Sequence, residues 1–211
     1  MSATVNIPAR AFAAAIKCAS KQDVRYYLNG VYLDFPKGRI VATNGHIMFI
    51  GQIESAALSP VIVSRETVEL ALKSMTKRAR DDNDVEVIID GAAIEIVTSG
   101  TVNQSGVRVG ATSFKATAID GRFPDYEQVV VREVSGTTAQ FDADLVATCA
   151  DALRTYTAQY THIAWQIQHN GDSASLMTGT NCLCVVMPCR TGRDADTDWY
   201  FGPTPAVAAA A

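Results

Sequence analysis

One pattern occurs three times in this chain: a stretch with apolar residues at helical spacing, followed by short β-rich runs separated by turn residues. Such a repeat commits the chain to tandem units that mix helix and sheet, because each helix has one apolar face to bury and each set of strands has another. In the first pass, residues 7–20 carry Pro8 at the first helical position and place Phe12, Ala15, Ile16 and Ala19 on one face. Strands are expected at 31–33, 39–43 and 46–53, with Pro36-Lys37-Gly38 and Asn44-Gly45 as the turns. In the second pass a short strand at 61–63 leads to Ser64 as cap and a helix over 66–80 with Val68, Ala71, Leu72 and Met75 on one face. Strands at 85–89, 93–97 and 113–119 follow, the first two joined by Asp90-Gly91. The third pass begins after Ser135-Gly136. It has a strand at 138–141, Asp142 as cap, and a helix over 143–158 with Leu145, Val146, Cys149, Ala152 and Leu153 inward. Strands at 162–169, 174–178 and 182–188 end it, with Asn170-Gly171 turning the first pair.

Composition narrows the function. With 48% hydrophobic and 19% charged residues the chain has enough apolar side chain for a real core. No run of about 18 apolar residues is present and the N-terminus lacks a signal-peptide layout, which predicts a cytoplasmic protein without membrane contact. The five cysteines are Cys18, Cys149, Cys182, Cys184 and Cys189. Without a C-x-x-C turn they are expected to be free buried thiols rather than disulfides or a metal site. No cofactor is expected. There is no phosphate-cradling glycine loop, nucleophile elbow or catalytic carboxylate pair, and His46, His162 and His169 form no recognisable triad, so no enzyme is expected. A net charge of −4 argues against nucleic acid only if charge is evenly spread, and it is not. Arg10, Lys17 and Lys21 share a stripe on the first helix, and Lys73, Lys77 and Arg80 share one on the second. On the third helix Asp144 and Asp151 flank a single Arg154.

Four segments, in order, resemble the bacterial sliding clamp, the beta subunit of the replicative polymerase. They are Gln22-Asp23-Val24-Arg25-Tyr26-Tyr27-Leu28-Asn29-Gly30, Val41-Ala42-Thr43-Asn44-Gly45-His46, Asp120-Gly121-Arg122-Phe123-Pro124-Asp125-Tyr126 and Cys184-Val185-Val186-Met187-Pro188-Cys189-Arg190. The resemblance implies an α+β sliding-clamp (processivity-factor) fold of three tandem β-α-β-β-β units. Residues 1–130 resemble a complete clamp domain, the middle one of three. Residues 137–190 resemble only the second half of the last domain, and 191–211 read as a flexible tail containing Trp199-Tyr200-Phe201.

The implied function is a DNA sliding clamp that encircles duplex DNA and tethers a polymerase and other clients through short linear peptides, with a clamp loader as a further partner. The resemblance assigns DNA contact to Gln22, Arg25, Tyr26 and Tyr27, to which the basic stripes add Arg10, Lys17, Lys21, Lys73, Lys77 and Arg80. It assigns a hydrophobic peptide pocket to Leu28, Thr43, Gly45, His46, Met48, Pro124, Val129, Val185 and Met187. Ile47 stands where the family commonly has arginine. A family ring has six domains of two units each, so a chain of three units closes it as a homo-oligomer of four, with trimer and dimer as the other outcomes. A clamp mimic that keeps the pocket but never encircles DNA is the alternative reading, to which the acidic third helix lends weight.

Overall fold

A computed structural model of the chain describes residues 2–98, 101–102, 108–130, 139–160, 165–171 and 173–189. The expected tail at 191–211 with its Trp199-Tyr200-Phe201 cluster, the Ser135-Gly136 punctuation, His162 and the start of the expected 138–141 strand lie outside these residues.

In chain order the elements are β1 (Ala3–Pro8), α1 (Ala9–Cys18), β2 (Gly30–Asp34), β3 (Arg39–Thr43), β4 (Ile47–Gln52), β5 (Val61–Ser64), α2 (Arg65–Lys73), α3 (Lys77–Asp82), β6 (Asp84–Asp90) and β7 (Ala93–Thr98). Then come β8 (Thr101–Val102), β9 (Arg108–Val109), β10 (Thr112–Thr117), α4 (Ala143–Thr157), β11 (Gln166–Gln168), β12 (Ser175–Gly179) and β13 (Cys182–Val186), with single 3₁₀ turns at Tyr26–Leu28 and Tyr126–Val129. This is the α+β arrangement of repeated units expected from the sequence. Among the described residues no helix is long and apolar enough to cross a membrane.

The first two units exchange their opening strands. β1 pairs antiparallel with β6 of the second unit, and β5 pairs antiparallel with β2 of the first. One sheet therefore runs β1-β6-β7-β10, and the other contains β4-β3-β2-β5. The third unit extends that second sheet rather than building its own, because β13 pairs with β4, from Cys182 opposite Gly51 to Val186 opposite Ile47. A seven-stranded sheet, β11-β12-β13-β4-β3-β2-β5, results.

Strand alternation divides the apolar residues of the seven-stranded sheet between two clusters. Val31, Leu33, Ile40, Ala42, Phe49, Cys184 and Val186 join the large core around the helices. Val41, Met48, Ile50, Leu176 and Val185 point to the other face, where Leu28, Phe123 and Tyr126 cover them.

The local chemistry of the helices corrects three expectations. Ala3, Val5 and Ile7 alternate inward ahead of α1, so Ile7 and Pro8 belong to β1, and Pro8 is the N-cap rather than the first helical residue. With no side-chain cap available, the Ala9 N–H donates to the Asn83 carbonyl at 3.0 Å instead. The single helix expected over 66–80 is two helices. Ser74 Oγ turns back to the Ala71 carbonyl, and Thr76 starts α3 by accepting from Ala79 N–H. Residues 139–142 form no strand, although Cys189 N–H donates to the Gln140 carbonyl at 2.8 Å.

The expected caps at Ser64 and Asp142 are in place, each accepting from backbone N–H groups of the first turn. At the far end of α1, Arg65 Nη1 donates to the carbonyls of Ile16 at 2.7 Å and Ala19 at 2.8 Å, neutralising the negative end of the helix.

α1 is almost wholly enclosed. Ala9, Ala11, Phe12, Ala13, Ala14, Ala15, Ile16 and Cys18 are all buried, with α4 lying along it and α2 and α3 beside it. Its run of alanines is what permits this, since small side chains let neighbouring helices approach on several sides. Four of the five cysteines are buried free thiols and Cys189 is half-buried. Hydrogen bonds from Cys18 and Cys184 draw the Cys149 thiol down to about 5, and burial pushes that of Cys184 well up.

Candidate functional site

The seam between β4 and β13 opens on the non-helical face of the seven-stranded sheet into a cavity of about 220 Å³. All nine residues expected around a peptide pocket line it: Leu28, Thr43, Gly45, His46, Met48, Pro124, Val129, Val185 and Met187. Met48 and Val185 are direct cross-strand partners, so the first and third units each supply half of the floor. These two and Leu28 are buried, whereas Val129 and Met187, at 41% and 38% exposed, form the rim.

The β3–β4 turn shapes one wall. Asn44 Oδ1 accepts from the N–H groups of His46 and Ile47, both at 2.9 Å, and Thr43 Oγ1 donates to the Ile47 carbonyl at 2.7 Å. Gly45 sits at φ 90°, a conformation that calls for glycine, and a β-carbon there would meet only the tip of the Arg25 side chain, Nη2 at 3.0 Å. His46 acts through its backbone, its carbonyl accepting from Met187 N–H at 2.9 Å and tying the third unit to the turn.

The sequence reading missed the residues that hold the opposite wall. Phe123 stacks on Tyr32 with centroids 4.6 Å apart, and the Tyr126 hydroxyl donates to the buried Asp34 carboxylate at 2.8 Å. Burial, followed by that hydrogen bond, raises the Tyr126 pKa well above the ordinary tyrosine value. Glu127 accepts from Lys37 at 2.7 Å and Arg39 at 2.5 Å, which holds its carboxyl below the usual range. Tyr126 lies 92 residues from Asp34 and 87 from Arg39, and only the presence of Phe123 and Tyr126 in a recognised segment pointed to this wall. Tyr126→Phe should cost about 1 kcal/mol by leaving Asp34 short of a donor. A urea unfolding curve checks this, and an unchanged midpoint would show the hydroxyl to be dispensable.

The residues expected to touch DNA are dispersed. Arg25 lies at the pocket, chelated by Asp23 through Nε at 3.0 Å and Nη2 at 2.7 Å, and this contact lowers the Asp23 pKa to about 2. Tyr26 is 55% exposed and packs edge-on against half-buried Tyr27. Lys21 and Gln22 lie beyond the end of α1, so the expected three-residue stripe does not exist as one helix face. They line a shallow depression with Tyr26, Arg65 and Glu69.

Arg10 is half-buried with Nη1 3.4 Å from the Asp81 carbonyl, and Lys17 is paired with Asp151 of α4 at 2.6 Å. The second stripe is divided by the α2–α3 break. Lys73 is exposed near Glu69 at 3.9 Å, Lys77 stands 4.2 Å over the Tyr160 ring, and Arg80 is half-buried.

A sequence model described as the DNA polymerase III beta subunit, central domain, matches residues 6–125. The beta sliding clamp of Pseudomonas aeruginosa is 34% identical over 119 residues, covering 54% of this chain and 29% of that protein. The beta sliding clamp of Caulobacter vibrioides is 31% identical over 150 residues, covering 66% of this chain and 36% of that protein. The chain thus spans about a third of the length of these curated relatives.

Among solved structures, the DNA polymerase III subunit beta from Pseudomonas aeruginosa superposes with a TM-score of 0.65 at 19% identity, over 90% of this chain and 66% of that one. The Helicobacter pylori beta clamp bound to a DNA ligase peptide gives a TM-score of 0.65 at 15% identity, over 89% and 65%. The structural likenesses establish the fold. The sequence match, covering more than half of the residues, establishes descent: this chain belongs to the DNA polymerase III beta subunit family of sliding clamps.

Proposed function

We propose that this chain is a DNA sliding clamp that encircles duplex DNA as a homo-oligomer and tethers a polymerase and other clients by short peptides, without chemistry of its own. The observation that carries the reading is the pocket on the β4–β13 seam. Nine residues from four separate segments line one cavity, its floor is apolar, and its rim includes an exposed methionine able to re-pack around different side chains. The peptide-bound Helicobacter pylori relative supports a peptide as the occupant. Residues 1–130 act as the complete domain and 137–190 as the half domain. A clamp loader is the partner that opens the ring, and duplex DNA meets Lys21, Gln22, Tyr26, Lys73 and Lys77, the more exposed of the assigned residues.

Strand exchange supports a count of four copies. Within the first two units, each opening strand leaves to cap the other unit's sheet, β1 on β6 and β5 on β2. The third unit has no sister in its own chain, and its β11 ends the seven-stranded sheet among the described residues. An open edge of this kind recruits another strand. A second copy of the same unit supplies it symmetrically, because a two-fold operator presents each edge to the other. Pairing third units in this way gives four chains per ring. Light scattering at moderate salt should therefore report about four chain masses. A stable mass of three, two or one chains would sink the tetramer, and a monomer that also fails to stay on circular DNA would sink the clamp.

A further inference from the structure

We propose that Cys18, Cys149 and Cys184 bind one soft, thiophilic metal ion through three thiolates at the junction of α1, α4 and β13. The three Sγ atoms lie within 4.8 Å of one another, and each residue is fully buried at 0% exposure. The centre of a triangle with 4.8 Å sides is about 2.8 Å from its corners, against about 2.3 Å for a zinc–thiolate bond, so each sulfur need move only about half an ångström. Such a shift is within reach of small side-chain rotations. The ligands come from three separate elements, which is why no C-x-x-C spacing announces them.

The donor set selects the ion. Three sulfurs favour copper(I) or zinc over calcium or magnesium, which require oxygen ligands. Structural zinc takes four ligands, and the cluster offers three among the described residues, so the balance tips to copper(I), which is satisfied by three thiolates. In the metal-free protein Cys184 Sγ donates to the Cys149 carbonyl at 3.6 Å. On binding, each thiol gives its proton to solvent and forms one sulfur–metal bond, with no change in oxidation state.

Cys184 sits next to Val185 in the pocket floor, and Cys18 and Cys149 lie on the two helices that pack the third unit against the first. The ion therefore fastens the third unit to the first directly behind the pocket.

The test uses the full chain, reduced and anaerobic, produced with copper(I) or with zinc and then titrated against a chromophoric chelator. The expected result is one equivalent of copper(I) per chain, retained against chelator and accompanied by a higher melting temperature, with zinc held more weakly. X-ray absorption of the loaded wild-type protein should show three sulfurs. Cys149→Ser and Cys184→Ser should lose the bound equivalent, while Cys182→Ser, altered two residues along the same strand, should keep it. If a variant fails to fold, the sulfur count on the wild-type protein still decides. Fewer than three sulfurs, equal retention by all variants, or no binding of either ion would overturn the proposal and leave three packed thiols. Tighter binding of zinc than of copper(I), with all three sulfurs, would keep the site and overturn the choice of ion.

Discussion

Phe49→Ala should lower the unfolding free energy by about 3–5 kcal/mol, a large share of the roughly 5–15 kcal/mol that holds a typical domain together. Phe49 is fully buried on β4, faces the helices, and lies directly opposite Cys184 of β13. Its ring is 5.6 Å from that of Tyr156 on α4, whose hydroxyl donates to the Gln52 carbonyl. Gly51 closes the same spot, since a β-carbon there would fall 2.7 Å from Tyr156 and 3.0 Å from Phe49. Truncation therefore opens a cavity walled by the first unit on one side and the third on the other. The loss should be uneven: hydrogen exchange should rise more in α4 and β11–β13 than in β1, β6 and β7, which lie in the other sheet. A loss under about 1 kcal/mol, or exchange that rises equally everywhere, would show that the third unit does not depend on this contact.

Much of the repeat was legible because its punctuation is local. Gly38, Gly45, Gly91 and Gly171 adopt the positive φ that the turn reading required, and Ser64 and Asp142 cap where the helices were expected to start. Two features were lost to competition between neighbouring signals. The Ala3, Val5, Ile7 alternation of β1 runs directly into the helical spacing of α1, and the two hydroxyls at Ser74 and Thr76 end one helix and begin another within an unbroken helical pattern. The decisive arrangement, β13 on β4, joins residues more than a hundred positions apart, and periodicity within either strand carries no information about the other.

The site divides along the same line. The nine lining residues that were expected came from resemblance, not from spacing, and Arg25, Ile47, Phe123, Asp125 and Tyr126 also line the cavity. What spacing suggested independently, the basic stripes, largely dissolved. Lys17 is spent on Asp151, Arg10 reaches the Asp81 carbonyl, and α1 is a covered helix rather than an exposed amphipathic one. Arg25, expected at DNA, lines the pocket with its guanidinium held by Asp23, two residues before it. Asp34 and Tyr126, which hold the opposite wall, are 92 residues apart and could be paired only in three dimensions.

Met187→Ala should weaken binding of a short peptide ending in apolar or aromatic residues by about 1–3 kcal/mol, which is roughly 5- to 150-fold in affinity. Met187 follows the last pocket strand, and its backbone N–H is held by the His46 carbonyl at 2.9 Å, so removing the side chain leaves the loop anchored. The side chain itself is 38% exposed and lines the cavity, opposite a floor of Leu28, Met48 and Val185. It therefore contributes far more to a bound ligand than to the free protein, because a half-exposed side chain loses little on truncation while a covered one loses its full contact. Leu28→Ala would not separate the two effects, since Leu28 is 2% exposed and belongs to the cluster beneath the pocket. A fluorescence titration with a labelled peptide, run beside a urea unfolding curve, makes the distinction. Weaker binding with an unchanged unfolding midpoint is the expected outcome. Equal peptide affinity in Met187→Ala and the wild type would remove the seam pocket as the client site, whatever the ring turns out to be.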